Sequence, residues 1–224
     1  MIHTGLQLAS LLAALDSHAD PRLWFVTRGA AVAAYLLLAV SVALGLLRSL
    51  ARALAVRASW VLDELHAYTA LLAAAFLALH LISLVLDPLV PFPVITLLLP
   101  FGEPYRAFAS ALGVFALYAF AAVLLSSWLR RRLTYRFWRG LHYASFAAFA
   151  LATLHGVLAG ADTPQPWMRA VYVGATAAVA FLFAVRLLLS LRVLQVTSER
   201  AGAPVRGDEV MSEPTGPVPG QPLR

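Results

Sequence analysis

Four histidines fall into two pairs, each inside its own apolar stretch. His66 and His80 are 14 residues apart, and His142 and His155 are 13 apart. Imidazole is the commonest metal ligand and can both donate and accept a proton. Singly, an imidazole in a membrane span is more often a hydrogen-bonded packing residue facing the bundle interior. Here the four lie at two matched depths, so His66 can face His142 and His80 can face His155. The levels are about 20 Å apart at the helical rise of roughly 1.5 Å per residue. Two imidazoles per level, with no carboxylate or thiolate, make an incomplete site for zinc or copper. They do make the axial pair of a haem. With no open axial position, such a haem suits electron transfer better than oxygen binding. Two haems stacked in this way would carry electrons across a bilayer.

Helical phase tests this arrangement. Fourteen residues at about 100° each end about 40° short of four turns, so His66 and His80 share a face. Thirteen residues end about 140° short, which turns His142 and His155 apart on an ideal helix. The segment that carries them is therefore expected to be tightened, bulged or tilted between the two. Room is supplied by Ala67, Ala70, Ala73, Ala74 and Ala75 beside the first pair, and by Ala144, Ala147, Ala148, Ala150 and Ala152 beside the second. Small residues also serve ordinary helix packing in membranes. Phe146 and Phe149 lie near the midpoint of the second pair, where they would fill space between two cofactors or act as lipid-facing or core aromatics.

The elements that must position these residues are membrane spans. Of 224 residues, 61% are hydrophobic and 12% charged, about half the usual charge of a soluble domain. Five segments are long enough to cross: Trp24–Leu47, Asp63–Leu86, Tyr105–Leu129, Phe137–Ala159 and Trp167–Leu194,. The expected fold class is an all-α polytopic membrane helical bundle of five transmembrane helices. Leu6–Leu15 is apolar but too short to span, and reads as an interfacial segment within residues 1–21. Val94–Leu99 lies among Pro88, Pro91, Pro93 and Pro100, a run too broken for a helix and too apolar for a free loop. It is expected in the outer interface or folded back over the bundle. Residues 196–224, rich in proline and glycine, read as a disordered tail.

Charge sets the expected orientation. All 17 basic residues are arginine, and the net charge is +6. The first connection holds Arg48, Arg52 and Arg57, and the third holds Arg130, Arg131, Arg132, Arg136 and Arg139, whereas the second holds Asp87 and Glu103. The positive-inside rule places the first and third connections in the cytoplasm, with the N-terminus outside and the C-terminus inside. Topology thus accounts for the basic charge, and no nucleic-acid partner is expected. There is no cysteine, which removes disulfides, iron–sulfur clusters and thiolate zinc sites. Two arginines lie within spans and need partners. Arg28, at the outer histidine level, would be served by a haem propionate or by the interface. Arg186 poses the same choice at the inner end. His3 and His18 lie in the polar N-terminus and are assigned no role.

Residues 22–195 resemble the ferric reductase-like transmembrane domain family. That family includes the membrane halves of NADPH oxidases and ferric reductases, and the haem subunit of the bacterial periplasmic methionine sulfoxide reductase system. NADPH oxidases carry H-x13-H on one helix and H-x12-H on another, the spacings of His66 to His80 and His142 to His155. The run Trp138-Arg139-Gly140-Leu141-His142 is similar to the family's helix start, and His155-Gly156 to its end. Thr27-Arg28-Gly29 resembles the first-helix arginine segment, which implies that Arg28 lies near a haem propionate. The methionine sulfoxide reductase subunit lacks a counterpart of the first histidine, so this chain is nearer the oxidases in haem count. The oxidases have a further N-terminal span and continue into a flavin- and nicotinamide-binding region, for which this chain has no glycine-rich fingerprint.

The resulting expectation is a haem domain over 22–195 in a bacterial cytoplasmic membrane. It would bind two b-type haems, the inner on His66 and His142 and the outer on His80 and His155, with Arg28 beside the outer one. No catalytic residue is assigned. Besides membrane lipid, its partners would be a separate flavoprotein or quinol as donor, and ferric iron, oxygen or an extracytoplasmic redox protein as acceptor. The alternatives are a non-catalytic membrane anchor or assembly subunit, and a quinol-oxidising cytochrome b subunit of a larger dehydrogenase.

Overall fold

The computed structural model describes residues 22–54, 59–87, 92–102 and 106–202. The N-terminal interfacial segment expected within 1–21 lies outside them, as do His3 and His18. Seven α-helices appear among the described residues: α1 Arg22–Ala53, α2 Ser59–Leu86, α3 Val94–Leu98, α4 Ala107–Trp128, α5 Tyr135–His142, α6 Ala144–Ala159 and α7 Pro166–Gly202. A 3₁₀ turn, Arg130–Arg132, joins α4 to α5. Five stretches are long and apolar enough to cross a membrane: Arg22–Ala53, Trp60–Leu86, Ala107–Trp128, Tyr135–Ala159 and Pro166–Arg192. The protein is a multi-pass, all-α membrane bundle.

Two bounds differ from the sequence reading. The first span runs on through Ala53, so Arg48 and Arg52 are helical. They stay there because Asp63, at the start of α2, pairs with Arg48 and lies 3.2 Å from Arg52. The last helix runs to Gly202, past the boundary expected at 195. Residues 203–224 lie outside the description.

The chain divides into two compact units, 1–186 and 187–224. Within the first, α1 packs closely on α2 and α4 on α6. The two histidine-bearing helices, α2 and α6, approach each other far less closely than either approaches its backing helix. In the second unit the described residues continue α7.

The second connection corrects one expectation. Val94–Leu98 is a short helix rather than a broken run. Pro93 precedes it, where proline's fixed φ and missing N–H cost nothing. The Thr96 hydroxyl donates to the Pro93 carbonyl at 2.8 Å, and Pro100 follows once the turn is complete. The Tyr118 hydroxyl donates to the Leu98 carbonyl, which ties α3 back onto α4 as the fold-back reading required.

The core sits midway along the spans. Ala73 is 1% exposed and Ala148 0%. Each is the central residue, or next to it, of its histidine interval. Around them pack Tyr35, Phe120, Phe149 and Tyr172. Outward positions stay apolar, as Leu71, Phe108 and Val173 show, and in lipid this incurs no penalty. Helix association then depends on close packing, so the small residues at mid-span matter most. Replacing Ala148 with Leu should cost about 1–3 kcal/mol through overpacking. The readout is the thermal midpoint of detergent-purified protein, and an unchanged midpoint would show that this point is not tightly packed.

Candidate functional site

An imidazole N–H inside hydrocarbon needs an acceptor, and three of the four rings find one of the same kind. His66 Nδ1 donates to the Ser41 carbonyl at 2.8 Å. His80 Nδ1 donates to the Thr27 carbonyl at 3.0 Å. His155 Nδ1 donates to the Ala109 carbonyl at 2.7 Å. In each case a backing helix, α1 or α4, holds a ring carried by α2 or α6. A carbonyl can only accept, so these bonds place the proton on Nδ1 and leave the Nε2 lone pair free. In metal proteins a hydrogen bond of this kind orients the ligating histidine and raises its basicity.

The acceptors are uncovered by design of the helix surface. Side chains in a helix tilt toward its N-terminus, so the residue at i+4 lies over the carbonyl of residue i. Four residues after Ser41 stands Gly45, and four after Ala109 stands Gly113. A Cβ on Gly45 would come within 3.3 Å of the His66 ring, and one on Gly113 within 2.8 Å of the His155 ring. Four residues after Thr27 stands Ala31, the smallest residue with a Cβ. Hydroxyls add to the grip. The Ser41 hydroxyl lies 3.2 Å from His66 Nδ1. The buried Thr27 and Ser83 hydroxyls lie 2.8 Å apart, and Ser83 donates to the His80 carbonyl at 2.9 Å.

The structure brings His66 and His142 together. His66 and His142 have ring centroids 6.0 Å apart and planes at 73°. Two imidazoles on opposite sides of one metal, with bonds of about 2 Å, have centroids roughly 6 Å apart. All four rings are half-buried. Among the described residues no group of three or more His, Cys, Asp or Glu gathers.

The irregularity that the second pair requires stands at one residue. Helix α5 ends at His142, Tyr143 is a turn, and α6 starts at Ala144. The Tyr143 N–H is shared between the Arg139 and Gly140 carbonyls, both at 3.2 Å, and Phe146 N–H reaches the Tyr143 carbonyl at 3.1 Å. These i→i+3 bonds tighten the chain toward three residues per turn, which recovers part of the angle that a 13-residue step lacks. His142 is the exception in its bonding. Its Nδ1 is buried without a hydrogen-bond partner, and so is Trp138 Nε1 beside it.

The two arginines inside spans both have protein partners. Arg28 Nε donates to Asp162 Oδ2 at 3.0 Å, and its Nη2 pairs with Oδ1. Asp162, in the turn after α6, was not singled out by the sequence, which pointed to a haem propionate or the interface for Arg28. Arg186 Nε donates to the Ser49 hydroxyl at 2.7 Å. Phe149 is buried and stacks on Tyr35 at 5.9 Å between the two histidine levels, whereas Phe146 is half-buried and meets Phe183 edge-on at 5.4 Å. The carbonyl acceptors were also missed, although one signal for them was present. Thr27 and Ser41 are 14 residues apart, the same interval as His66 and His80.

No curated protein and no solved structure matches the chain. The family described as ferric reductase like transmembrane component matches residues 30–153, a stretch that contains His66, His80 and His142 and stops two residues short of His155. That match covers more than half of the chain, and the protein belongs to the ferric reductase-like transmembrane family.

Proposed function

We propose that the protein is a di-haem b electron carrier that spans a bacterial cytoplasmic membrane. The observation that carries this reading is the set of three Nδ1–H to carbonyl bonds, which leave Nε2 of His66, His80 and His155 free to ligate. The 6.0 Å spacing of His66 and His142 fits two imidazoles on one metal. His66 and His142 would hold the inner haem, and His80 and His155 the outer. Each haem iron, when bound, would supply a reversible one-electron change. The chain's own residues fix the tautomer, aim the rings and keep water from the mid-span through the packed Tyr35, Phe149 and Tyr172. Arg28 engages Asp162 through Nε and Nη2. Guanidinium has five N–H donors, so the Nη1 group is left for an acidic edge of the outer haem.

The arginine-rich ends of α1 and α4–α5 would face the cytoplasm. Electrons from a separate flavoprotein or quinol would then enter at His66 and His142. They would leave at His80 and His155 to ferric iron, oxygen or an extracytoplasmic redox protein. Two imidazoles held for one iron would favour this transfer role over binding of oxygen.

A reduced-minus-oxidised spectrum with pyridine haemochrome quantitation is expected to show b-type haem at about two per chain. Absence of haem would overturn the reading, and one haem would discard the two-level version. His80→Ala and His142→Ala should each remove one haem and leave the other spectrally intact. Gly113→Ala is a sharper test, since its Cβ would collide with the His155 ring. It should deplete the outer haem and spare the inner, and equal loss of both would show that the glycine serves general packing.

A further inference from the structure

The arginine-rich end contains a continuous chain of aromatic contacts that the four-histidine site does not require. The Arg130 guanidinium lies 4.4 Å from the centre of the Trp138 ring. Trp138 stacks on His142 at 5.1 Å and 28°. His142 meets His66 at 6.0 Å. Arg130 is exposed and Trp138 half-buried, so the chain runs from the surface to the inner histidine pair. Its geometry is held from several sides. Thr134 caps α5 by accepting the Phe137 N–H. Arg139 donates to the Tyr143 and Tyr135 hydroxyls, each at 3.0 Å, and Tyr135 packs on Trp138 at 6.0 Å. At the other end, among the described residues, no aromatic ring packs on His80 or His155.

We propose that Trp138 is the bridge through which electrons reach the inner histidine pair, and that Arg130 and its neighbours dock an anionic flavin donor there. The proposal rests on the di-haem reading above. A cation over an indole face is attracted to the ring quadrupole, so Arg130 presses the indole against His142 while its charge faces the donor. Arg131, Arg132 and Arg136 are exposed beside it, and their shared sign steers an anion to this face. Each passage moves one electron. The reduced flavin would lose one electron and give a proton to water, and a ferric haem, which His66 and His142 would hold, would supply the acceptor. Trp138 makes and breaks no bond. Trp138 and Arg130 are thus positioning residues for transfer.

The test uses full-length, haem-loaded protein reduced in stopped flow by photoreduced flavin mononucleotide, which carries a phosphate, and by photoreduced riboflavin, which lacks it. The mononucleotide should reduce the protein severalfold faster at low salt, and the two rates should converge as salt screens the arginines. Trp138→Leu should slow both donors severalfold per bound haem at every salt concentration, and Trp138→Phe, which keeps a ring beside His142, should restore most of the rate. Arg130→Gln, an exposed change that leaves the fold intact, should slow the mononucleotide most and weaken its salt dependence. If Trp138→Leu loses haem, Arg130→Gln and Trp138→Phe decide the matter. Full haem content with wild-type rates in Trp138→Leu, or in Arg130→Gln, would overturn the proposal while leaving the di-haem reading intact. Wild-type protein that binds no haem would overturn the di-haem reading itself.

Discussion

The hydrogen bond from imidazole Nδ1 to a backbone carbonyl of the neighbouring helix is the interaction on which this bundle depends. In hydrocarbon an unsatisfied N–H costs several kcal/mol, and the helical backbone has already spent each carbonyl on its i+4 amide. A carbonyl oxygen keeps a second lone pair, but a side chain at i+4 normally covers it. Gly45 and Gly113 uncover it where His66 and His155 approach. One contact thereby fixes four things together: the tautomer, the aim of Nε2, the distance between two helices and their register. The dense pairing of α1 with α2 and of α4 with α6 follows from it. So does the separation of α2 from α6, because each histidine helix is drawn toward its backing helix and away from the other.

Charge closes the two ends of this arrangement. Asp63 precedes His66 by three residues and pairs with Arg48, which follows Gly45 by three. Arg28 adjoins Thr27, the acceptor for His80, and pairs with Asp162 in the turn that follows His155. An arginine within a span costs about 2.5–3.5 kcal/mol on insertion scales, and pairing with a carboxylate offsets much of that. The first pair fastens α1 to α2, which the imidazole bonds already join. The second reaches from α1 to the turn after α6, so it ties the two helix pairs to each other at the end nearer His80 and His155. Membrane burial also explains how few charges the chain needs: those within or bordering the spans sit where a helix pair must be fastened.

Much of this was legible in the residues, for identifiable reasons. Apolar length gave the five spans, because backbone groups in lipid must be satisfied within helices. The 13-residue step from His142 to His155 demanded an irregular helix, and the irregularity stands at Tyr143, directly after the first histidine of the pair. What escaped were interactions whose partner has no side-chain identity. Ser41, Thr27 and Ala109 act through their carbonyls, which every residue possesses, and only the glycines four positions on and the 14-residue echo between Thr27 and Ser41 betray them. Asp162 escaped because it lies 134 residues from Arg28 in a short turn. The helix Val94–Leu98 escaped because prolines at both sides were read as breakers, although they bound one turn without interrupting it.

The two histidine levels are built unequally, and this bears on how they would work. His80 and His155 both donate to carbonyls. At the other level only His66 does, and His142 is held by the Trp138 ring, with its own Nδ1 unpaired. A hydrogen-bonded imidazole is the more basic ligand and the more rigid one. A metal at the His80–His155 level would therefore feel two strengthened donors in a fixed frame, and one at the His66–His142 level a mixed pair with one ring held by stacking. Stronger donation favours the oxidised state of a metal, so the level nearest the arginines is the one disposed to be reduced first. The indole that replaces a carbonyl beside His142 thus gives up some rigidity, and in exchange it connects that level to the surface.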